Sequence, residues 1–279
     1  FPQRKSCVRR KIRNFGTDLE FISNTMTKHL LDLRVESSDD LGAGYSAIVL
    51  SAPDGKALPM VKPGQFVELQ APDGRTMLRR PISIFDYDVR TLSLLVRRIG
   101  NGTKAIAALC PGDSISTVMP LGNGFPAVRS DERVLLVGGG VGIAPLLYLA
   151  RVIAASGRWP AVIYGARTAA ELVASARFDG CADLHICTDD GSAGFHGLVT
   201  SHPVFSAREY DRVMCCGPKP MMQAVAAACR ERNITCEVSL ENIMACGVGA
   251  CLCCVEKTVR GNVCVCTEGP VFNINDLTW

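Results

Sequence analysis

Excess charge of one sign is missing from this 279-residue sequence: 30 Lys and Arg stand against 27 Asp and Glu, a formal net charge of +3. A nucleic-acid binder would normally carry a strong basic excess on one face, so that class is set aside. An apolar leader is also missing. Residues 1–17 hold Arg4, Lys5, Arg9, Arg10, Lys11 and Arg13 with no acid and no hydrophobic stretch, so neither a signal peptide nor an anchor is expected. One uncharged run, residues 134–150, approaches the length of a membrane span. Gly138, Gly139, Gly140, Gly142 and Pro145 would weaken a spanning helix there, and a strand, a glycine turn and a new helix account for the pattern better. No internal repeat and no low-complexity tract is present.

Cysteine, by contrast, is plentiful. Of 14 cysteines, Cys246, Cys251, Cys253, Cys254, Cys264 and Cys266 crowd into one short segment, and the rest are scattered. Secreted disulfide scaffolds are usually shorter and begin with a leader, so a reducing, cytoplasmic setting is expected, with an enzyme or redox module as the leading class.

Periodicity divides the chain. Residues 1–25 read as a flexible basic extension. From Leu30 to about Pro126, short strand-like runs at 46–50, 65–69, 82–85 and 92–96 alternate with Gly, Pro and Asp turns, which predicts a small antiparallel barrel. From Arg133 to about Glu237, apolar strands at 134–137, 161–164 and 212–215 alternate with helical segments at 144–155 and 220–232, which predicts a parallel sheet with helices on its faces. Residues 238–279 show no long periodic run, and a metal centre rather than a hydrophobic core is expected to hold them. The fold class is thus α+β and multidomain, with barrel, α/β and small C-terminal domains bounded at 26–128, 129–237 and 238–279.

Cys246, Cys251 and Cys254 have the spacing C-x4-C-x2-C, the plant-type arrangement for a [2Fe-2S] cluster. Two irons need four terminal thiolates, and a tight loop offers three of them from one side. The fourth must come from a returning segment, which Val263-Cys264-Val265-Cys266 supplies. Cys264 and Cys266 would lie on the same side of an extended strand, so spacing leaves both open. Zinc usually takes two C-x2-C pairs, and here only Cys251 and Cys254 form one.

Arg79-Arg80-Pro81-Ile82-Ser83-Ile84 opens a barrel strand, while Gly100-Asn101-Gly102-Thr103 precedes a helical turn. Together they suggest a phosphate cradle, with a guanidinium for one oxygen and amides plus a hydroxyl for others. Separately, Arg80 reads as a surface ion pair and residues 100–103 as a hairpin or helix cap. Gly138-Gly139-Gly140-Val141-Gly142-Ile143-Ala144-Pro145 follows a strand and opens a helix, without the G-x-G-x-x-G spacing. Cys216-Gly217-Pro218 repeats the arrangement after another strand, and Cys216 could equally be a small buried filler.

In this order the motifs resemble the ferredoxin-NADP reductase superfamily, and within it the electron-transfer subunits of bacterial NAD-dependent dihydroorotate dehydrogenases. The resemblance runs from about Leu30 to Phe272. It implies that the barrel binds FAD, with Arg80 on the pyrophosphate, Ser83 on the flavin ring and Ile82 where many relatives carry an aromatic residue. Gly100, Gly102 and Thr103 resemble the second pyrophosphate motif. Gly138, Gly139, Gly140 and Gly142, with Cys216, Gly217 and Pro218, resemble the NAD(H) motifs, and residues 189–192 and 197–200 a loop on the same side. The segments 246–254 and 265–272 resemble the cluster domain, which favours Cys266 as fourth ligand beside Cys246, Cys251 and Cys254. The implied activity is electron transfer among NAD(H), FAD and the cluster, to or from an FMN-containing dihydroorotate dehydrogenase subunit, two of each chain forming a heterotetramer in pyrimidine biosynthesis. No acid-base dyad for dihydroorotate is found in this chain. A reductase subunit serving another acceptor and a zinc-binding interaction module are the alternatives.

Overall fold

A computed structural model describes residues 27–207 and 209–279. The expected basic extension over 1–25 lies outside the described residues.

Six antiparallel strands close into a barrel in the order β1-β2-β5-β4-β3-β6. They are β1 (His29–Gly42), β2 (Tyr45–Ser51), β3 (Phe66–Leu69), β4 (Arg80–Tyr87), β5 (Thr91–Arg97) and β6 (Ser114–Leu121), with helix α1 (Asn101–Ala107) between the last two. Alternation builds the barrel core: in β1 Leu33 and Val35 are buried while Asp32 and Arg34 face water. Ile48, Leu50, Val67, Leu69, Ile84, Leu92, Leu94 and Ile115 fill the same interior, and Ile106 of α1 joins them. Each such side chain, fully buried, contributes about 1.5–3 kcal/mol.

The second body is a seven-stranded sheet in the order β10-β9-β8-β7-β11-β12-β15. Its elements are β7 (Val134–Gly139), α2 (Ala144–Ala155), β8 (Ala161–Ala166), β9 (Asp183–Thr188), β10 (Phe195–His196), α3 (Pro203–Ala207), β11 (Arg212–Cys216), α4 (Lys219–Glu231) and β12 (Thr235–Ser239). Parallel strands covered on both faces need continuous apolar runs, and β7 shows why. Leu135 and Val137 enter the core under α4, whereas Val134 and Leu136 enter the one that contains α2. The chain starts at β7, lays β8 and β9 on one side, and returns to place β11 and β12 on the other, so β7 and β11 flank a topological switch point.

The C-terminal segment contains the hairpin β13 (Val255–Thr258) and β14 (Gly261–Cys264), the short helix α5 (Val265–Glu268) and strand β15 (Val271–Asn273). Strand β12 runs past residue 237, and β15 pairs antiparallel with it through Val238↔Phe272 and Ser239↔Val271. This corrects the expectation that a hydrophobic core plays no part in holding the segment. Leu240, Met244, Val265, Phe272, Ile274 and Leu277 are buried in the same core as the sheet, at spacings too irregular to register as a period. The barrel and the sheet are tied by an ion pair from Arg151 of α2 to Asp86 of β4.

Candidate functional site

Strand pairing aligns the barrel motif with the sheet motifs. In the barrel, Ser83 lies opposite Phe66 and Pro81 opposite Glu68. In the sheet, Gly138, Cys216 and Ser239 form one row across the carboxyl ends of β7, β11 and β12. Between the two bodies opens a cleft of about 240 Å³. Pro81, Ile82 and Ser83 line its barrel side, while Val141, Ala144, Ser239 and Glu241 line its sheet side. A larger hollow of about 760 Å³, lined by Arg133, Arg158 and Trp159, lies at the opposite, amino ends of β7 and β8. Ligands of open parallel sheets bind beyond the carboxyl ends at the switch point, so the smaller cleft is the candidate site.

The pyrophosphate motifs also meet. A methyl group on Gly102 would come within 2.6 Å of Arg80 Nε and 3.1 Å of Thr76 Cγ2, so only glycine lets the guanidinium lie against the start of α1. Arg80 donates to the Leu78 and Arg79 carbonyls and makes no salt bridge among the described residues, unlike the surface ion pair it could have been. The Thr103 hydroxyl accepts from the amides of Ile99 and Gly100 at 3.1 and 3.2 Å. It therefore serves first as a helix cap, and the cradle proper consists of the guanidinium and the backbone around Gly100 and Gly102.

The nucleotide motifs are in direct contact. A Cβ on Gly142 would stand 2.5 Å from both the Cys216 carbonyl oxygen and Gly217 Cα. Gly138 abuts Ile143, Gly139 abuts Met221 and Pro218, and Gly140 turns with φ +55° beside the Tyr45 hydroxyl. Tyr45 is fully buried, and its hydroxyl has no hydrogen-bond partner among the described residues. Arg97 lies over its ring at 5.7 Å and reaches the cleft wall.

Cys216 is buried, as a filler would be, yet its thiol donates to Glu241 Oε1 at 3.9 Å. Burial and then the Glu241 carboxylate push the thiol well above its usual range, so it stays protonated. Glu241 as a residue is open to the cleft, but the protein around its carboxyl raises that group too, against hydrogen bonding from Cys216 and the pull of Arg97. Sequence reasoning missed Glu241, Ser239, Tyr45 and Arg97, because no local pattern marks a residue that reaches the site only through strand pairing.

The four candidate ligand thiols fall into two pairs. Cys246 lies beside Cys251, whose amide donates to its sulfur at 3.4 Å. Burial pushes the Cys246 thiol up, but the amides of Val248, Cys251 and Ala250 and the Cys251 side chain outweigh it and lower it to about 7. Cys254 lies beside Cys266, whose amide donates to the Cys254 sulfur at 3.4 Å. The Cys266 sulfur accepts from the Gly249 amide at 3.2 Å, and burial together with Cys254 pushes its thiol up to about 12. Among the described residues no three Cys, His, Asp or Glu side chains converge on a single-ion site. Two thiol pairs with backbone amides aimed at sulfur suit two bridged irons better than one tetrahedral zinc.

Cys264 and Cys266 do not share a strand face as expected. Cys264 ends β14 while Cys266 lies in α5, because the chain turns helical at Val265. Cys264 also faces Cys254, but no amide among the described residues donates to its sulfur. Beneath the loop, Glu68 of the barrel is 1% exposed, its Oε1 has no hydrogen-bond partner among the described residues, and a Cβ on Gly247 would stand 2.7 Å from its carboxyl carbon.

Known proteins share these features. Residues 241–278 match the model of the iron-sulfur cluster binding domain of dihydroorotate dehydrogenase B. The chain of an NADH-dependent reduced ferredoxin-NADP oxidoreductase superposes with a TM-score of 0.79 at 29% identity, over 89% of this chain and 90% of that one. The electron transfer subunit of dihydroorotate dehydrogenase B (NAD(+)) from Listeria innocua is 34% identical over 254 residues, 88% of this chain and 98% of the relative. Its counterpart from Clostridium acetobutylicum is 42% identical over 213 residues, 76% of this chain and 84% of the relative. The chain belongs to the family of electron transfer subunits of the NAD-dependent dihydroorotate dehydrogenase B.

Proposed function

We propose that this chain carries electrons between NAD(H) and an FMN-containing dihydroorotate dehydrogenase subunit, through FAD in the barrel cleft and a [2Fe-2S] cluster on the C-terminal segment, as part of pyrimidine biosynthesis. The observation that carries this reading is that Pro81, Ile82 and Ser83 of the barrel motif line one cleft with Val141, Ala144, Ser239 and Glu241 of the sheet, Gly138 and Cys216 being in register with Ser239. A bound flavin accepts a hydride and releases electrons singly, the conversion required between a two-electron donor and a one-electron centre.

The chain's own residues hold and orient. Arg80 and the backbone at Gly100 and Gly102 grip the pyrophosphate, with Thr103 fixing the turn that presents them. Ser83 offers a hydroxyl to the ring edge, and Ile82 gives it an apolar wall. Gly138, Gly139, Gly142 and Gly217 let the two loops at the switch point pack directly on each other and on Ile143, Pro218 and Met221, and Gly140 supplies the turn, which together would present backbone to a dinucleotide. Cys216 stays a neutral thiol against Glu241, so this edge of the nucleotide site would carry no thiolate charge. Cys246, Cys251, Cys254 and Cys266 are the four ligands, and the amides of Cys251, Cys266 and Gly249 stabilise their thiolates. The cytoplasm and a heterotetramer with two copies of each subunit complete the reading. No helix among the described residues is long and apolar enough to cross a membrane.

The test is anaerobic. The purified chain loaded with FAD, iron and sulfide is expected to oxidise NADH with ferricyanide and to form no orotate from dihydroorotate until the FMN subunit is added. Orotate formation by the chain alone, or a colourless zinc protein after reconstitution, overturns the reading.

A further inference from the structure

The loops that follow β8 and β9 form a rim beside the nucleotide loop, and the hydride relay makes no use of their charges. Arg167 follows β8 directly and is 69% exposed, yet its guanidinium is held at two points by Glu171, Nη2 to Oε1 at 2.5 Å and Nε to Oε2 at 3.5 Å. The Glu171 side chain is only 14% exposed, so the carboxylate is fixed and the arginine is drawn back onto it. Next to it, the Asp190 amide donates to the Arg167 carbonyl at 3.2 Å and the Ala169 amide to Ser192 Oγ at 2.8 Å, which stitches the two loops together. Asp190 is occupied in turn by Ser192, from whose hydroxyl and amide it accepts. Asp189 stands exposed at the end of β9 and makes no salt bridge among the described residues. The Arg167 guanidinium is thus held by Glu171, with the charge of Asp189 also acting on it. Tyr45 connects this rim to the site: its buried, unpartnered hydroxyl lies beside Gly140, and Arg167 and Glu171 are among the charges that act on it.

In doubly wound sheets the end of the strand after the glycine loop meets the adenosine ribose. An acid there accepts from the 2'-hydroxyl, whereas a free arginine receives a 2'-phosphate. We propose that Glu171 masks Arg167, and that this masked pair together with Asp189 makes the rim select a 2'-hydroxyl and reject a 2'-phosphate. The inference rests on the nucleotide site assigned above and adds to it the residues that set the choice of dinucleotide. The chain therefore carries a guanidinium in place for NADP(H) but neutralised by one neighbour.

The experiment is calorimetric titration of the FAD- and cluster-loaded chain with NAD+ and NADP+, in the wild type and in the variants E171Q, D189N and the double variant R167A/E171Q. E171Q is expected to raise NADP+ affinity about tenfold, a gain that added salt reduces, while NAD+ affinity changes by less than about threefold. The double variant loses the gain. D189N, a surface change that leaves the ion pair intact, raises NADP+ affinity by about threefold and keeps the proposal testable if E171Q fails to fold. Unchanged NADP+ affinity in E171Q and D189N, with NAD+ still bound, overturns the mask and leaves the site standing. A gain that survives in the double variant also overturns it. A wild type that binds neither dinucleotide overturns the site assignment as well.

Discussion

At the scale of single residues, Cys264 and Cys266 are separated by one valine and by a change from strand to helix. Of the two, only Cys266 accepts, among the described residues, an amide from the loop that carries the three other ligand thiols. Cys266→Ser is therefore expected to abolish the visible absorption of the cluster and about half or more of the bound iron, whereas Cys264→Ser keeps both. Iron analysis and the spectrum of each variant after reconstitution check this. The apo chain gives a second expectation at the same scale. Backbone amides bring Cys246 from the ordinary 9.0 down to about 7. The thiolate is the reactive form, so alkylation of Cys246 in cluster-free protein should rise through a midpoint near neutrality, while Cys266, raised to about 12, stays inert over that range. Peptide mapping after iodoacetamide at a series of pH values reads both sites at once.

At the scale of elements, Arg212 at the start of β11 binds Glu132 before β7 at 2.9 Å and Glu237 of β12 at 2.6 Å. All three side chains are nearly buried. Burial pushes the Glu132 carboxyl up, but Arg212 and the Arg129 amide outweigh it and hold it below the usual range. Glu237 stays above that range, since burial and the Glu132 charge exceed the pull of Arg212. Arg212→Met leaves two buried carboxylates without their cation and should cost about 3–5 kcal/mol at neutral pH. The loss should shrink as pH falls through the carboxylate range, because protonation removes the orphaned charges. Urea unfolding at pH 7 and pH 5 measures the difference.

Elements were also the scale at which the sequence was most legible. The strand runs at 82–85 and 92–96, the continuous apolar run of β7 and the helix over 144–155 follow from local periodicity, and the structure reproduces them. The cysteine spacing and the glycine motifs are legible for another reason: a tight loop or a close backbone approach dictates residue types in place. What escaped depends on distant chain segments meeting. Glu241 reaches Cys216 because β12 pairs with β11, Tyr45 of the barrel reaches Gly140 of the sheet, and Glu68 of β3 underlies Gly247 of the C-terminal segment. The short strand β15 has too few residues to show a period, and its place in the sheet is set by Phe272 entering a shared core.

At the scale of the whole molecule, the C-terminal segment touches both larger bodies. Its strand β15 extends the sheet, while Asn123, just beyond the barrel strand β6, donates from its side chain to the carbonyls of Thr267 and Glu268 at 3.0 and 3.1 Å. The Asn123 amide donates to the Gly269 carbonyl at 2.6 Å, and Gly122 lies against Pro270. Deletion of residues 240–279 should therefore do more than remove the cluster. It uncovers the edge of β12 and the apolar surface that Phe272 and Leu277 cover, so the shortened chain should aggregate or unfold at lower denaturant. Serine substitution of all four ligands should leave a folded yellow protein. Size-exclusion chromatography and flavin content separate the two outcomes.

The same clasp decides how the crevice is used. Beyond the Arg151-Asp86 pair, the C-terminal segment also joins barrel to sheet, so prying the crevice wider would have to break the Asn123 contacts or peel β15 from β12.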